Sequence, residues 1–229
     1  NNNYKNNIII DAKLSKLYSK SINKYLKFNT IYLNNKSWDR LYQHPPIYYN
    51  KIKDFGPLPD KTKISHNQVY KSLENNYNII KDELYSYINK RKIDQIPSNS
   101  FLPERHIHDG KWKNIVLFHN DKWKKESDIF PKTKKILSNF MSDCYGLICF
   151  SLLPAGSTIY PHTGASNFRL RLHLGLTVPN NYKDCYIKIA EKKGYWKEGK
   201  VLVIDDSYIH SVKNNTDQDR IILIFDIWN

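Results

Sequence analysis

The sequence predicts a mainly β-stranded domain of the sandwich or jelly-roll class, with helices flanking it. Two observations carry this prediction. Beyond Pro97, short apolar runs of strand character recur, separated by turns that contain Pro, Gly, Asn or Asp. The 229 residues also include 17 Tyr and nine Phe, which favours strands over a bundle rich in Leu and Ala. A chain of this length can form one domain with a substantial core.

The first part of the chain is predicted to be an N-terminal extension, residues 1–56, before a domain that covers residues 57–229. The extension is partly helical, because apolar residues recur at helical spacing from Leu14 to Leu26. Residues 44–60 are punctuated by Pro and Gly and predict an extended connection. The boundary is therefore placed within that connection.

A clear amphipathic helix is predicted to follow the connection. Asn67 is a candidate N-cap, and one apolar stripe follows it at helical spacing. The stripe consists of Val69, Tyr70, Leu73, Tyr77, Ile80, Leu84 and Ile88. Six strands are predicted after the helix. They cover residues 114–118, 145–153, 168–178, 185–190, 200–204 and 220–228.

The chain is strongly basic, with 36 Lys and Arg against 22 Asp and Glu and a formal net charge of +14. This balance is typical of a protein with an acidic partner, such as nucleic acid, anionic lipid or an acidic protein. A general bias towards Lys explains it equally well, because the lysines are spread along the whole chain. Nucleic acid is the least favoured of these partners, since no nucleic-acid-binding motif is present.

The three cysteines, Cys144, Cys149 and Cys185, show no metal-binding spacing and are expected to be buried free thiols. No apolar run has the length of a membrane span, and no signal-peptide pattern opens the sequence. The sequence begins at Asn1, so an anchor or leader could precede it. Neither the compartment nor the oligomeric state is assigned.

The run FRLRLHLGL is the most informative segment of the sequence. In a strand, Phe168 and the three leucines would share one face, and Arg169, Arg171 and His173 would share the other. Three such donors in a row suit a carboxylate-binding surface. A solvated outer face is the alternative.

Two histidines lie beside turns on either side of this run. His162 belongs to YPHTG and His210 to DDSYIHS. Iron(II) oxygenases with jelly-roll folds hold the metal with two His and one carboxylate, which leaves coordination positions open. That carboxylate normally comes two residues after the first His, where this sequence has Gly164. Arg220 opens the last strand and could bind a carboxylate through two hydrogen bonds.

Three longer motifs resemble the catalytic core of the aspartyl/asparaginyl β-hydroxylases. They are PHTG-x-x-N-x-RLR-x-HLGL (161–176), W-x-EGKVL-x-x-DDS-x-x-H (196–210) and R-x-I-x-I-x-D-x-W (220–228). Weaker resemblance extends back through GKW (110–112) and PKT (131–133). The resemblance implies a double-stranded β-helix, the jelly-roll or cupin-like fold, and an iron(II)- and 2-oxoglutarate-dependent hydroxylase that uses O₂.

The resemblance also implies roles for individual residues. His162 and His210 would be the iron ligands, and Gly164 agrees with a family that lacks the usual metal carboxylate. Asp206 would hydrogen-bond a water on the metal in place of that carboxylate, and Arg169 would contact substrate. The residues implied around 2-oxoglutarate are Trp112, Ser151, Arg171, His173 and Arg220.

The substrate that the resemblance implies first is an Asp or Asn side chain of a protein or peptide. An acyl chain of an anionic lipid is the second possibility, and relatives are often membrane-anchored. A non-catalytic basic jelly-roll binding module is an alternative that requires neither histidine. A halogenase is another, because chloride can occupy the position that Gly164 leaves open.

Overall fold

The computed structural model describes residues 32–33, 42–43, 45–49, 51–89, 96, 108–109 and 112–229 of the chain. Within these residues, two antiparallel β-sheets face each other, and helices cover the outer face of the larger one. A further pair of short strands, β1 (Tyr32–Leu33) and β2 (Ile47–Tyr48), precedes them. The predicted helix from Leu14 to Leu26 lies outside the described residues.

The larger, or major, sheet contains six strands. In spatial order they are β11 (Val201–Ile204), β8 (Arg169–Thr177), β13 (Arg220–Trp228), β6 (Cys144–Leu153), β4 (Lys113–His119) and β5 (Lys122–Trp123). The smaller, or minor, sheet contains five. In spatial order they are β10 (Lys192–Tyr195), β9 (Cys185–Ile189), β12 (His210–Asn214), β7 (Thr158–His162) and β3 (His108–Asp109).

The order of the strands along the chain defines the fold class. Strands β6, β8, β11 and β13 belong to the major sheet, while β7, β9, β10 and β12, which lie between them in sequence, belong to the minor sheet. A chain that alternates between two facing sheets in this way forms a double-stranded β-helix. The predicted fold class is therefore confirmed, and each of the six predicted strands begins and ends within one residue of an observed strand.

The helical region departs from the prediction at two points. Two helices occupy it, α1 (Asn67–Asn75) and α2 (Tyr77–Ile88), because the chain turns at Asn76, whose side-chain amide donates to the Ser72 carbonyl oxygen. The prediction of Asn67 as N-cap is wrong. Asn67 is the first helical residue, and His66 takes the N-cap position without a side-chain cap hydrogen bond. A third helix, α3 (Pro131–Ser138), precedes β6.

Two cores lie on the two faces of the major sheet. The outer core packs the outward-facing leucines of β8, such as Leu172 and Leu174, against helical residues such as Leu73, Ile80 and Leu84. The inner core fills the space between the sheets. Its members include Cys149, Ile159, Ile187, Val212 and Ile224. The three cysteines are buried and free, as expected. None of the described helices is long and apolar enough to cross a membrane.

Candidate active site

Two histidines lie side by side at one end of the minor sheet. His162 ends β7 and His210 begins β12, and the two residues are direct partners in the antiparallel register. Their ring centroids are 4.2 Å apart. His210 is buried and His162 is half-buried. The inner core residues Ile159 and Val212 come from the same two strands, so the histidines stand above the inner core.

The hydrogen bonds of the two imidazoles prepare them to bind a metal. Nδ1 of His162 lies 2.7 Å from the Tyr160 carbonyl oxygen, and Nδ1 of His210 lies 2.8 Å from that of Tyr208. A carbonyl oxygen can only accept, so each Nδ1 carries the hydrogen and each Nε2 keeps its lone pair. Histidine ligands are oriented in this way by outer hydrogen bonds.

The charge state of the two rings suits the same role. Burial lowers the pKa of His162, and it lowers that of His210 to about 4, with His162 as the second cause. Both rings are therefore neutral at physiological pH, which is the form that binds a metal ion.

Gly164 lies against the carboxylate of Asp206. A Cβ atom on Gly164 would be 2.5 Å from the Asp206 carboxylate atoms, closer than real Cβ contacts. The backbone N–H of Gly164 also donates to the Asp206 carbonyl oxygen at 2.6 Å. Glycine is therefore required here for space, because a carboxylate from another strand connection already occupies the position of its side chain.

The two arginines of β8 form a buried ion-pair network with two aspartates. Arg169 donates to Asp206 through Nε and Nη2, at 3.1 and 2.7 Å. Arg171 donates to Asp226 through Nε and Nη2, at 2.6 and 2.9 Å, and its Nη1 lies 3.3 Å from Asp206. Arg171 and Asp226 are register partners on β8 and β13, which places the two charges together. The solvated-face alternative for this strand is therefore wrong.

The network balances its own charge. Burial alone would raise the pKa of Asp206, but the guanidinium groups of Arg169 and Arg171 outweigh it and hold this pKa well below its usual value. Asp206 is therefore ionised, and two positive groups face two carboxylates. The side chains of both arginines retain 16% exposure, so they form part of an accessible wall of the site.

Arg220 contrasts with these paired arginines. It is 1% exposed, and its Nε and Nη1 have no hydrogen-bond partner among the described residues. Its guanidinium lies 4.9 Å from the centroid of the Trp196 ring. Burial lowers its pKa to about 10, which leaves it charged at neutral pH. A buried cation without a partner is costly, so the site is prepared for an anion.

His173 presents a second buried donor near Arg220. Trp196 Nε1 donates to His173 Nδ1 at 3.3 Å, so the neutral ring carries its hydrogen on Nε2. That Nε2 is buried and lacks a partner in the described part of the chain. Burial lowers the pKa of His173 well below its usual value, with Arg171 and Arg220 contributing. Together, Arg220 and His173 offer the donors that a carboxylate accepts.

Two further residues of the predicted cosubstrate site are in contact. Ser151 on β6 is buried, and Trp112 donates from Nε1 to its Oγ at 2.9 Å. Ser151 is opposite Ile222 on β13, two residues from Arg220. The structure thus gathers the predicted site residues on the inner side of the double-stranded β-helix.

Three partners were not assigned a role from the sequence. Trp196 touches both His173 and Arg220, while Asp226 anchors Arg171. Asn167 clamps the backbone of Tyr49, with its Nδ2 donating to the carbonyl oxygen and its Oδ1 accepting from the N–H, both at 2.9 Å. All three residues belong to the motifs that resemble the family, so their motif positions could have indicated a role in the site.

A segment before the predicted domain boundary also reaches the site. Gln43 donates to Ser207 Oγ at 2.8 Å, and the Ile209 N–H donates to the Tyr42 carbonyl oxygen at 2.7 Å. The Ile47 N–H donates to the Ala165 carbonyl oxygen at 3.0 Å. We call residues 42–43 and 45–49 the strap, because they connect the chain after His162 with the chain before His210.

The fold and the site together define a class of protein. Among the described side chains, no group of three or more His, Cys, Asp or Glu is placed to hold a metal ion. The paired imidazoles of His162 and His210 are the candidate ligands, and imidazole nitrogens suit iron(II). The class is that of double-stranded β-helix proteins with two paired histidines and a buried, uncompensated arginine on the inner side of the sheets.

Comparison with known proteins identifies the family. The model of the aspartyl/asparaginyl β-hydroxylase family matches residues 74–229, and the chain belongs to that family. The human aspartyl/asparaginyl β-hydroxylase is 34% identical over 168 residues, which are 72% of this chain and 21% of that protein. The mouse protein of the same name is 36% identical over 169 residues. The chain thus spans about a fifth of the length of these relatives.

A bacterial relative carries a different name. The ornithine lipid ester-linked acyl 2-hydroxylase of Rhizobium tropici is 40% identical over 77 residues, covering 34% of this chain and 27% of that protein.

Among solved structures, a prolyl-4-hydroxylase from Pseudomonas putida is similar over 67% of this chain and 87% of its own, at 10% identity and a TM-score of 0.44.

Proposed function

We propose that this chain is an iron(II)- and 2-oxoglutarate-dependent hydroxylase that acts on an Asp or Asn side chain of a polypeptide. One observation carries the proposal. The imidazoles of His162 and His210 are neighbours in the register, and both are fixed through Nδ1 so that Nε2 is available. Family membership supports the same reaction. When bound, iron(II), 2-oxoglutarate and O₂ supply the oxidising power, giving succinate, carbon dioxide and one inserted oxygen atom.

The protein's own residues bind and orient the cosubstrate. The buried, unpaired donors of Arg220 and His173 would hold a carboxylate of the cosubstrate. Ser151 and Trp112 line the same side of the site. Trp196 keeps His173 in the tautomer that donates from Nε2. A pocket with fixed donors positions a dianion without reorganisation.

The ion-pair network orients the substrate side of the site. Asp206 and Asp226 fix the guanidinium groups of Arg171 and Arg169, which remain partly accessible. Arg169 is the candidate contact for an acidic substrate side chain. Asp206 lies where the side chain of residue 164 would be. It would hydrogen-bond a water on the metal in place of the missing carboxylate. Its negative charge argues against the halogenase alternative, because a chloride ion there would face a carboxylate.

A lipid acyl chain is the second candidate substrate. The relative from Rhizobium tropici is named for hydroxylating such a chain, and its similarity covers 34% of this chain. Mass spectrometry after incubation with iron(II) and 2-oxoglutarate distinguishes the two candidates. A gain of one oxygen on an Asp- or Asn-containing peptide supports the first proposal, and the same gain only on an acyl lipid supports the second.

The two histidines provide the direct test. We expect His162→Ala and His210→Ala each to abolish iron(II)-dependent succinate release and to weaken iron(II) binding, because each removes one of two ligands. His66→Ala is the matched control, since His66 pairs with Asp143 at 2.7 Å outside the site and should leave activity intact. Circular dichroism checks folding. Full activity in either site variant would disprove the assignment.

A further inference from the structure

The outer face of the minor sheet is basic and aromatic. Side chains alternate along its strands, so that Ile187, Ile189 and Val212 point to the inner core and their neighbours point outward. We call the outward set the basic outer face. It consists of Thr158, Tyr160, Tyr186, Lys188, Lys193, Tyr195, Ser211 and Lys213. These eight residues include three lysines and no Asp or Glu, and Asp109 on the edge strand β3 is opposite Thr158 in the register.

The lysines of this face are close together, and none has an acidic partner among the residues that the structure describes. Lys188 and Lys193 are directly opposite in the register of β9 and β10, and Lys188 is opposite Ser211 on β12. Like charges in opposed positions destabilise a sheet. None of the three lysines forms an ion pair with a described residue, whereas Lys61, Lys81 and Lys134 all do. An anion from outside the described chain would remove this repulsion.

The rings of Tyr186 and Tyr195 on this face pack against neighbouring side chains. Lys193 Nζ lies 4.0 Å from the centroid of the Tyr186 ring, and Tyr195 makes edge contacts with Tyr182 and Tyr186. Tyr160 and Tyr182 are 46% and 43% exposed at the two sides of the face. Tyrosines with an apolar ring and a wet hydroxyl are enriched where protein meets the headgroup region of a membrane.

The basic outer face begins next to the candidate active site. His162 and His210 end the inward row at the site, and Tyr160 and Ser211 are the nearest outward residues on the same two strands. Lys188 and Lys193 continue that outward row across the sheet. A planar surface bound here would therefore lie beside the strand ends that carry His162 and His210.

We infer that the basic outer face docks the protein on a membrane surface rich in anionic lipid headgroups. The face is a sheet surface that matches a plane of negative charge, and its lysines carry the complementary sign. Single-stranded nucleic acid matches this face less well, because its bases stack on exposed aromatic rings. The rings of Tyr186 and Tyr195 are already in contact with other side chains. The inference does not depend on which molecule is hydroxylated.

Co-sedimentation with lipid vesicles tests this docking. The full chain is mixed with vesicles of phosphatidylcholine alone or with phosphatidylglycerol added, at low and high salt. We expect binding only to the anionic vesicles, weakened by salt. The variant Lys188→Ala/Lys193→Ala/Lys213→Ala should lose affinity for them by about two orders of magnitude, since each lysine near an anionic surface contributes about fivefold. The corresponding triple Lys→Arg variant should retain binding.

A matched variant separates a specific face from net charge. Lys125, Lys132 and Lys135 are exposed near and on α3, on the helical side of the major sheet. Their triple alanine variant removes the same charge and should bind anionic vesicles within about threefold of the native chain. Equal losses in both triple variants would overturn the inference, as would absence of binding to anionic vesicles. It would also be overturned if an oligothymidylate bound through these lysines while anionic vesicles did not.

Discussion

At the scale of single residues, Arg171 and Arg220 have opposite electrostatic environments. Arg171 is compensated by Asp226 and Asp206, whereas Arg220 has no carboxylate partner among the described residues. The first arrangement is complete in the protein alone and serves to fix a wall. The second leaves a buried charge uncompensated, which lowers the stability of the protein alone and would favour binding of an anionic cosubstrate.

Replacing Arg220 by Met tests this difference. Arg220→Met keeps an unbranched side chain of similar length but removes the charge and the donors. We expect affinity for the unreactive analogue N-oxalylglycine to fall about ten- to hundredfold, since a charge-assisted pair contributes about 1.5–3 kcal/mol. Without ligand, the thermal midpoint should stay the same or rise, because an unpaired buried charge is lost. Calorimetric titration and thermal unfolding give the two measurements, and unchanged affinity would contradict the assignment.

Gly164 gives a second residue-scale prediction. In Gly164→Asp, the new side chain meets the Asp206 carboxylate at 2.5 Å and must displace it from Arg169. We therefore expect hydroxylation to fall rather than rise. Gly164→Ala should be destabilising for the same reason, but less so in an Asp206→Ala background, where the space is free. Chemical denaturation of the four members of this double-mutant cycle measures the coupling, and additive effects would exclude the proposed contact.

At the scale of elements, the sequence predicted the strands of the major sheet far better than those of the minor sheet. Strands such as β6 and β13 are long apolar runs, whereas β7 contains Pro161 and β10 contains Gly194. β12 is short, and four of its five residues are polar. Strand propensity reflects local composition, while these strands are held by pairing with neighbours that are distant in sequence.

The candidate site was predictable to the extent that it resembles a family motif. His162, His210 and Arg220 could be assigned roles because they stand at motif positions. The pairing of Arg171 with Asp226 could not, because 55 residues separate them and only the register of β8 and β13 brings them together. The same holds for the strap, which is more than 100 residues from its partners in sequence.

The strap provides the element-scale prediction. Asn167→Ala removes both hydrogen bonds to the Tyr49 backbone, each from a largely buried position. We expect a loss of about 1–3 kcal/mol in the free energy of unfolding and faster amide exchange at Ile47 and Tyr49. Asn181→Ala is the control, since the exposed Asn181 side chain bonds only its own loop at Asp184. Unchanged exchange in the strap would show that Asn167 does not hold it.

At the scale of the whole molecule, one buried carboxyl makes stability depend on pH. Burial raises the pKa of Asp205 from 3.8 to about 7, although two hydrogen bonds from Ser207 oppose this. The unfolded chain therefore releases this proton at lower pH than the folded chain does. The contribution of Asp205 to the free energy of unfolding falls as pH rises from about 4 to about 7, and then levels off.

Asp205→Asn should remove this dependence. The amide stays neutral, so the variant gains stability relative to the native chain between pH 4 and 7, by on the order of a few kcal/mol. Urea unfolding at a series of pH values measures the difference between the two proteins. The exposed Asp217→Asn serves as the control and should follow the native curve throughout. Parallel curves for Asp205→Asn and the native chain would contradict the raised pKa.

Because His162 and His210 are direct partners in the antiparallel register, the two rings lie side by side only when β7 and β12 are correctly aligned. If β12 slipped by one residue along β7, Ser211 would take the place of His210, and the imidazole would turn to the opposite face of the sheet. Such a misaligned chain would retain much of its backbone hydrogen bonding but would offer a metal only one ring. A metal that binds both rings would therefore favour the correct strand alignment, since only correctly aligned molecules would gain the free energy of binding.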